Sequence, residues 1–212
     1  MKTDNIVLMR MARESLRGRW GLAIGTFLVY SLIMGAFGAI PKASIISLLI
    51  AGSMALGVAM FSLSISRGKE ARLEQIFEGF QLFGKALVTY LLMILFVVLW
   101  LLLLIIPGII AALSYSMTFY ILADDNSLQP RQALDRSKQM MDGYKWKLFY
   151  LCLRFFLLAL LCILTLGIGF LWLIPYANIA SAKFYDDIKE KAVVVSFGFG
   201  KIYLVSEVHS LD

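Results

Sequence analysis

The chain has 212 residues, of which 60% are hydrophobic and only 16% charged, with a mean hydropathy of +0.82. A soluble domain carries about 45–50% apolar and about 25% charged residues, and here the excess lies in long runs that leave no room for a soluble core. The formal net charge of +6 sits at the ends of those runs, which is a topology signal and excludes a basic groove for nucleic acid.

The first 19 residues read as a basic amphipathic helix. Ile6, Met9, Leu16 and Trp20 fall roughly on one face and Arg10, Arg13 and Arg17 on another. An apolar run follows over residues 20–40. Ala36-Phe37-Gly38 after a basic region would also suit a cleavable signal peptide, but the run fits the repeat described below and is expected to be retained. A break at Pro41-Lys42 leads into a second run over 44–66, closing a first hairpin at 20–66. Gly21 and Gly25 form a GxxxG, and Ala51, Ala55 and Ala59 a small-residue stripe, both of which allow close helix packing or simply reflect membrane composition.

Residues 67–82 form a second polar approach, with Leu73, Ile76, Phe77 and Phe80 at helical spacing. The second hairpin, 83–123, comprises runs over 83–106 and 109–123, divided at Pro107-Gly108. The fourth span carries Ser114, Tyr115, Ser116, Thr118 and Tyr120. A third polar approach, 124–147, repeats the amphipathic pattern after Pro130 as Ala133, Leu134, Ser137, Met140 and Met141. The third hairpin, 148–184, breaks at Gly167-Ile168-Gly169, and its sixth span contains Pro175, Tyr176, Asn178 and Ser181. Cys152 and Cys162 lie in its fifth span as packing residues, without a disulfide framework. A tail over 185–212 has strand-like stretches at Val193-Val194-Val195-Ser196-Phe197 and Ile202-Tyr203-Leu204-Val205.

Each approach meets a glycine (Gly18, Gly79 and Gly143) where a left-handed residue would end a helix, followed by aromatic and basic residues. The pattern is that of three copies of an interfacial helix plus a transmembrane hairpin. Eighteen of the twenty Lys and Arg residues and all fourteen acids fall on the side of the termini and long loops, whereas the opposite side has Lys42 alone. The expected architecture is an all-α membrane protein of six transmembrane helices in three hairpins, in the cell membrane with both termini cytoplasmic.

Arg154 is the one formal charge inside a span, seven residues and roughly 10 Å beyond Lys147. It either snorkels to the inner headgroups, the favoured reading, or pairs with Asp124 or Asp125 at the end of the fourth span. Catalytic readings fail. Gly200-Lys201 lacks the earlier glycine and the following Ser or Thr of a P-loop, the acids avoid the spans, and His209 is the sole histidine. No metal or cofactor site is expected, since no Cys or His cluster exists.

Several strings together resemble a bacterial membrane-protein family defined as domain of unknown function 975. They are Leu99-Trp100 with Leu102-Leu103-Leu104-Ile105-Ile106-Pro107-Gly108-Ile109, then Ser114-Tyr115-Ser116-Met117 and Tyr120-Ile121-Leu122-Ala123-Asp124. Ser137, Met140-Met141-Asp142-Gly143 and Leu148-Phe149 extend the likeness, as do Thr165-Leu166-Gly167-Ile168-Gly169, Leu171-Trp172-Leu173 and Pro175-Tyr176. The likeness covers about residues 5–188, is most specific over 99–124, and stops short of the tail. The family is similar to other six-span bacterial proteins, including membrane regions attached to glycerophosphodiester phosphodiesterases, so the resemblance implies six spans and no particular activity.

The function expected is therefore non-enzymatic: organising lipids, anionic ones above all, or protein partners at the inner leaflet, with Arg10, Arg13 and Arg17 as lipid contacts. Self-association is allowed by the small-residue stripes, and nucleic acid is excluded. The alternative is a small transporter or channel lined by the fourth and sixth spans, with Ser114, Thr118, Asn178 and Arg154 as its intramembrane polar groups.

Overall fold

The computed structural model describes residues 3–38 and 44–198, and all regular structure among them is helical. The Pro41-Lys42 turn, Gly200-Lys201, the stretch Ile202-Tyr203-Leu204-Val205 and His209 lie outside the described residues. Helix α1 (Asn5–Leu16) starts at Asp4, whose carboxylate accepts from the Ile6 N–H at 3.3 Å. It ends before Gly18, which at φ +77° takes the left-handed turn expected of it. Then come α2 (Trp20–Gly38) and α3 (Ser44–Ser66), the short α4 (Gln75–Glu78) with a 3₁₀ turn at Gly79–Leu82, and α5 (Phe83–Leu103). The second half holds α6 (Ile105–Tyr115), α7 (Thr118–Asp124), α8 (Pro130–Met140), α9 (Lys145–Leu164) and α10 (Phe170–Gly198).

Five stretches are long and apolar enough to cross a membrane: Trp20–Phe37, Ile46–Ser66, Gln75–Leu103, Ile105–Asp124 and Lys145–Leu164. The expected sixth falls short because α10 reaches Lys183, Asp186 and Asp187 after only thirteen residues. The helices divide into inner and outer ones. In the α3 stretch 56% of residues are buried, against 11% in the stretches of α5 and α9. The core forms around α3, α7 and the middle of α10, where Leu56, Phe61, Ile65, Leu122, Ile179 and Phe184 are all but inaccessible. Leu95, Leu99, Leu102, Leu157, Leu161 and Leu164 point outward. An apolar surface of that extent suits hydrocarbon rather than water.

Several expectations change. The chain between α5 and α6 turns at Leu104 (φ −162°, ψ 145°), three residues before Pro107, which sits in the first turn of α6 where its missing N–H costs nothing. Gly108 instead permits the return, because a Cβ there would stand 2.9 Å from Leu101 Cα. Pro175 lies inside α10 without ending it, and residues 193–197 continue that helix rather than forming a strand. Gly167 does break the α9–α10 connection, at φ +85°. Cys162 packs there, within 2.6 Å of a Cβ built at Gly169, whereas Cys152 is exposed.

The close crossings use other glycines than expected. A Cβ at Gly57 would lie 2.0 Å from the Ile76 carbonyl oxygen, one at Gly79 2.0 Å from that of Ser53, and one at Gly52 2.5 Å from that of Ala86. Gly79 follows the last residue of α4 in a right-handed conformation (φ −57°) rather than the expected left-handed one, and serves close backbone approach. A Cβ at Gly21 or Gly25 meets nothing, and of the alanine stripe only Ala59 is buried.

Candidate functional site

The amphipathic faces of α1 sort differently from the sequence reading. Asn5, Leu8, Ala12 and Leu16 form the side buried in the protein. Ile6, Met9, Arg10 and Arg13, at i, i+3, i+4 and i+7, form a second stripe that faces a cavity of about 530 Å³. The opposite wall is the α9 stripe Arg154, Leu157, Leu158 and Leu161, at the same spacing, and Tyr176 of α10 closes the side. Arg17 caps α1 at its exposed end and lies outside the cavity.

The walls are tied in place. The Asn5 side-chain amide donates to the Lys147 carbonyl at 2.8 Å, joining the start of α1 to the start of α9. The Thr3 hydroxyl donates to Asp187, which also accepts from Lys147 Nζ at 2.6 Å. The Tyr176 hydroxyl donates to the Met9 carbonyl at 3.1 Å, and the Tyr176 ring meets Phe155 edge-on at 5.3 Å. Arg10, Arg13 and Arg154 make no ion pair with any described acid, although Glu14 follows Arg10 by the four residues that favour one. Three cations therefore border one cavity whose remaining lining is apolar apart from the Tyr176 hydroxyl.

The expected partners of Arg154 are engaged elsewhere. Asp124 accepts from Arg67 Nη1 at 2.6 Å, from the Tyr185 hydroxyl at 3.0 Å and from Lys189 Nζ. Asp125 faces Arg136 at 3.6 Å. Arg67 also forks onto Asp186 through Nη2 at 2.7 Å and Nε at 3.1 Å, and Ser66 Oγ donates to the same carboxylate at 3.1 Å. Burial works against the Arg67 charge, but the bonds to Asp124 and Asp186 outweigh it and hold the guanidinium pKa above its ordinary value. This cluster joins the ends of α3 and α7 to the interior of α10, and every cation in it has an acid or a carbonyl, so it is structural.

The polar groups of the expected fourth and sixth spans, on α6, α7 and α10, are also satisfied locally. Ser114 Oγ donates to the Ile110 carbonyl at 2.7 Å, Thr118 Oγ1 to that of Tyr115 at 2.7 Å, and Asn178 Nδ2 to that of Ile174 at 2.9 Å. Helices α7 and α10 do meet, through Tyr120, whose hydroxyl donates to the Asn178 carbonyl at 3.3 Å and whose ring stacks on Tyr185 at 5.9 Å. Their junction is packed side chain. In the third approach, Ser137 Oγ donates to the Ser114 carbonyl at 2.8 Å, so α8 docks its predicted face onto the bundle, with Ala133, Leu134, Ser137 and the following Met141 buried and Met140 half-buried.

Sequence reasoning found Arg10, Arg13 and Arg154 but set them apart. It named Tyr176 only among the polar residues of the sixth span and missed the leucines opposite, although the i, i+3, i+4, i+7 spacing of Arg154, Leu157, Leu158 and Leu161 is legible in the chain. A family model described as "Protein of unknown function (DUF975)" matches residues 1–107 and 94–192. The chain belongs to this family. No curated protein and no solved structure matches it. For this DUF975 member the chemistry of the cavity must therefore speak for itself: three guanidiniums, one phenol and an aliphatic wall, with no nucleophile–base pair and, among the described residues, no group of His, Cys, Asp and Glu that would hold a metal ion.

Proposed function

We propose that the chain is a non-enzymatic, multi-pass membrane protein that organises anionic lipids at the inner leaflet of the cell membrane. The carrying observation is the outward side of α1. Its Ile6, Val7 and Met11 are 52%, 41% and 39% exposed, interleaved with Arg10, Arg13 and Arg17, while the other side is sealed against the bundle. A helix so divided, held on a membrane bundle, places its apolar side chains among acyl chains and its cations at headgroup level. There each Lys or Arg gains about 1 kcal/mol from an anionic surface.

Six spans in three hairpins complete this reading. The apolar start of α10, thirteen residues or roughly 20 Å, is short for hydrocarbon. Local thinning and upward reach by Lys183 accommodate the mismatch. The charge asymmetry, eighteen cations against Lys42, then puts α1, α4 and α8 on the cytoplasmic side.

The four tryptophans supply the test. In vesicles of phosphatidylglycerol and phosphatidylcholine, with brominated chains on one lipid at a time, brominated phosphatidylglycerol should quench their fluorescence more strongly at equal mole fraction. Equal quenching by the two lipids would refute the lipid-organising role.

A further inference from the structure

We propose that the cavity between α1 and α9 is a discrete site for one anionic diacyl phospholipid, its phosphate on Arg10, Arg13 and Arg154 and an acyl chain along Leu157, Leu158 and Leu161. The site rests on the inner-leaflet reading above and narrows it from a surface preference to one bound molecule.

Charge comes first. Arg10, Arg13 and Arg154 border the same cavity without an acidic partner among the described residues, and like charges gathered at a partly apolar site repel unless an anion joins them. The cations are all arginines, whose planar fork suits two oxygens of one phosphate better than an ammonium does. A cavity of about 530 Å³ takes a phosphate, its glycerol and the first part of a chain, within the range of ordinary ligand sites.

The order of groups along α9 selects the lipid over a free phosphate. The helix begins in the basic segment at Lys145 and runs into the apolar stretch, so Arg154 precedes Leu157, Leu158 and Leu161 on the one face. Cation then aliphatic, read from the cytoplasmic side inward, is the order headgroup then chain of an inner-leaflet lipid. From Arg154 to Leu161 the wall is roughly 10 Å long at 1.5 Å per residue. A soluble phosphate would have no use for that half of the cavity. The anchors Asn5–Lys147 and Tyr176–Met9 hold both walls before any lipid arrives, which limits the ordering cost of binding.

The experiment is native mass spectrometry of the full chain released from detergent after titration with phosphatidylglycerol, phosphatidylcholine or inorganic phosphate. One phosphatidylglycerol per protein should survive delipidation, with phosphatidylcholine held at least about ten-fold more weakly. Inorganic phosphate at millimolar concentration should not displace it. Arg154→Gln should cut retention by about ten-fold, whereas Arg72→Gln, which removes an exposed cation paired with Glu70 outside the cavity, should leave it unchanged. Leu158→Trp, which fills the aliphatic wall and keeps every charge, should also expel the lipid. Equal retention of the two lipids, or displacement by inorganic phosphate, overturns the site using the unaltered protein alone, and so does wild-type retention by folded Arg154→Gln. Preferential quenching by brominated phosphatidylglycerol that persists alongside such a result would leave the lipid-organising role standing without this site.

Discussion

Asp124, the last residue of α7, is clasped by Arg67, the first residue beyond α3, at 2.6 Å. The pair closes two inner helices at the same end of the bundle, and Asp186 and Lys189 bring α10 to that point. Arg67 complements the negative end of α3, whereas Asp124 sits at an end of α7 where a carboxylate alone would be unfavourable. The acid is tolerated there because its oxygens accept from Arg67, Lys189 and Tyr185.

Asp124→Ala should therefore destabilise the protein. With the Asp124 side chain 11% and that of Arg67 28% exposed, the loss should be about 2 kcal/mol after allowance for solvent screening. The measurement is the thermal midpoint in a mild detergent, alone and combined with Arg67→Met. Strict additivity of the two changes would show that the pair is not coupled.

Glycines at the helix crossings should be unequal. Gly57→Ala places a methyl 2.0 Å from the Ile76 carbonyl oxygen, and the backbones must separate at a cost of about 1–3 kcal/mol. Gly79→Ala should behave alike against Ser53, while Gly25→Ala meets nothing and should be neutral. The three variants are compared by the yield of monodisperse protein after mild heating. A harmless Gly57→Ala would mean that α3 and α4 do not approach as described.

Topology is open to single-cysteine labelling in a Cys152→Ser, Cys162→Ser background. Lys42→Cys and Leu166→Cys should react with an impermeant maleimide added to intact cells, and Ser127→Cys only after lysis. Leu166 is 93% exposed at the α9–α10 turn, so access there is not limited by packing. Labelling of Leu166→Cys only after lysis would remove the sixth span.

The hydroxyls of the fourth span should be inert to solvent. Ser114→Cys and Thr118→Cys should resist impermeant thiol reagents from both sides, because each side chain is buried and bonded to a backbone carbonyl three or four residues earlier. Asn178→Cys should do the same. Rapid labelling at any of the three would restore a conducting path past the fourth and sixth spans.

The long apolar runs and the charge asymmetry could be read in the sequence because hydropathy and positive charge accumulate along the chain and need no partner. The left-handed turns at Gly18 and Gly143 were legible for a similar reason, since a local backbone requirement selects the residue. So was the buried face of α8, whose helical period is written in Ala133, Leu134, Ser137 and Met141.

What only the tertiary structure decided is lateral. Gly52, Gly57 and Gly79 make the close crossings while Gly21 and Gly25 stand open, although all five look alike in sequence. Asp124 goes to Arg67 rather than Arg154, and Arg154 joins Arg10 and Arg13 from the other end of the chain. Between helices whose surfaces are apolar all round, no periodic signal marks which side meets a neighbour. Packing fit and the few available charges make that choice, and they act only once the helices are assembled.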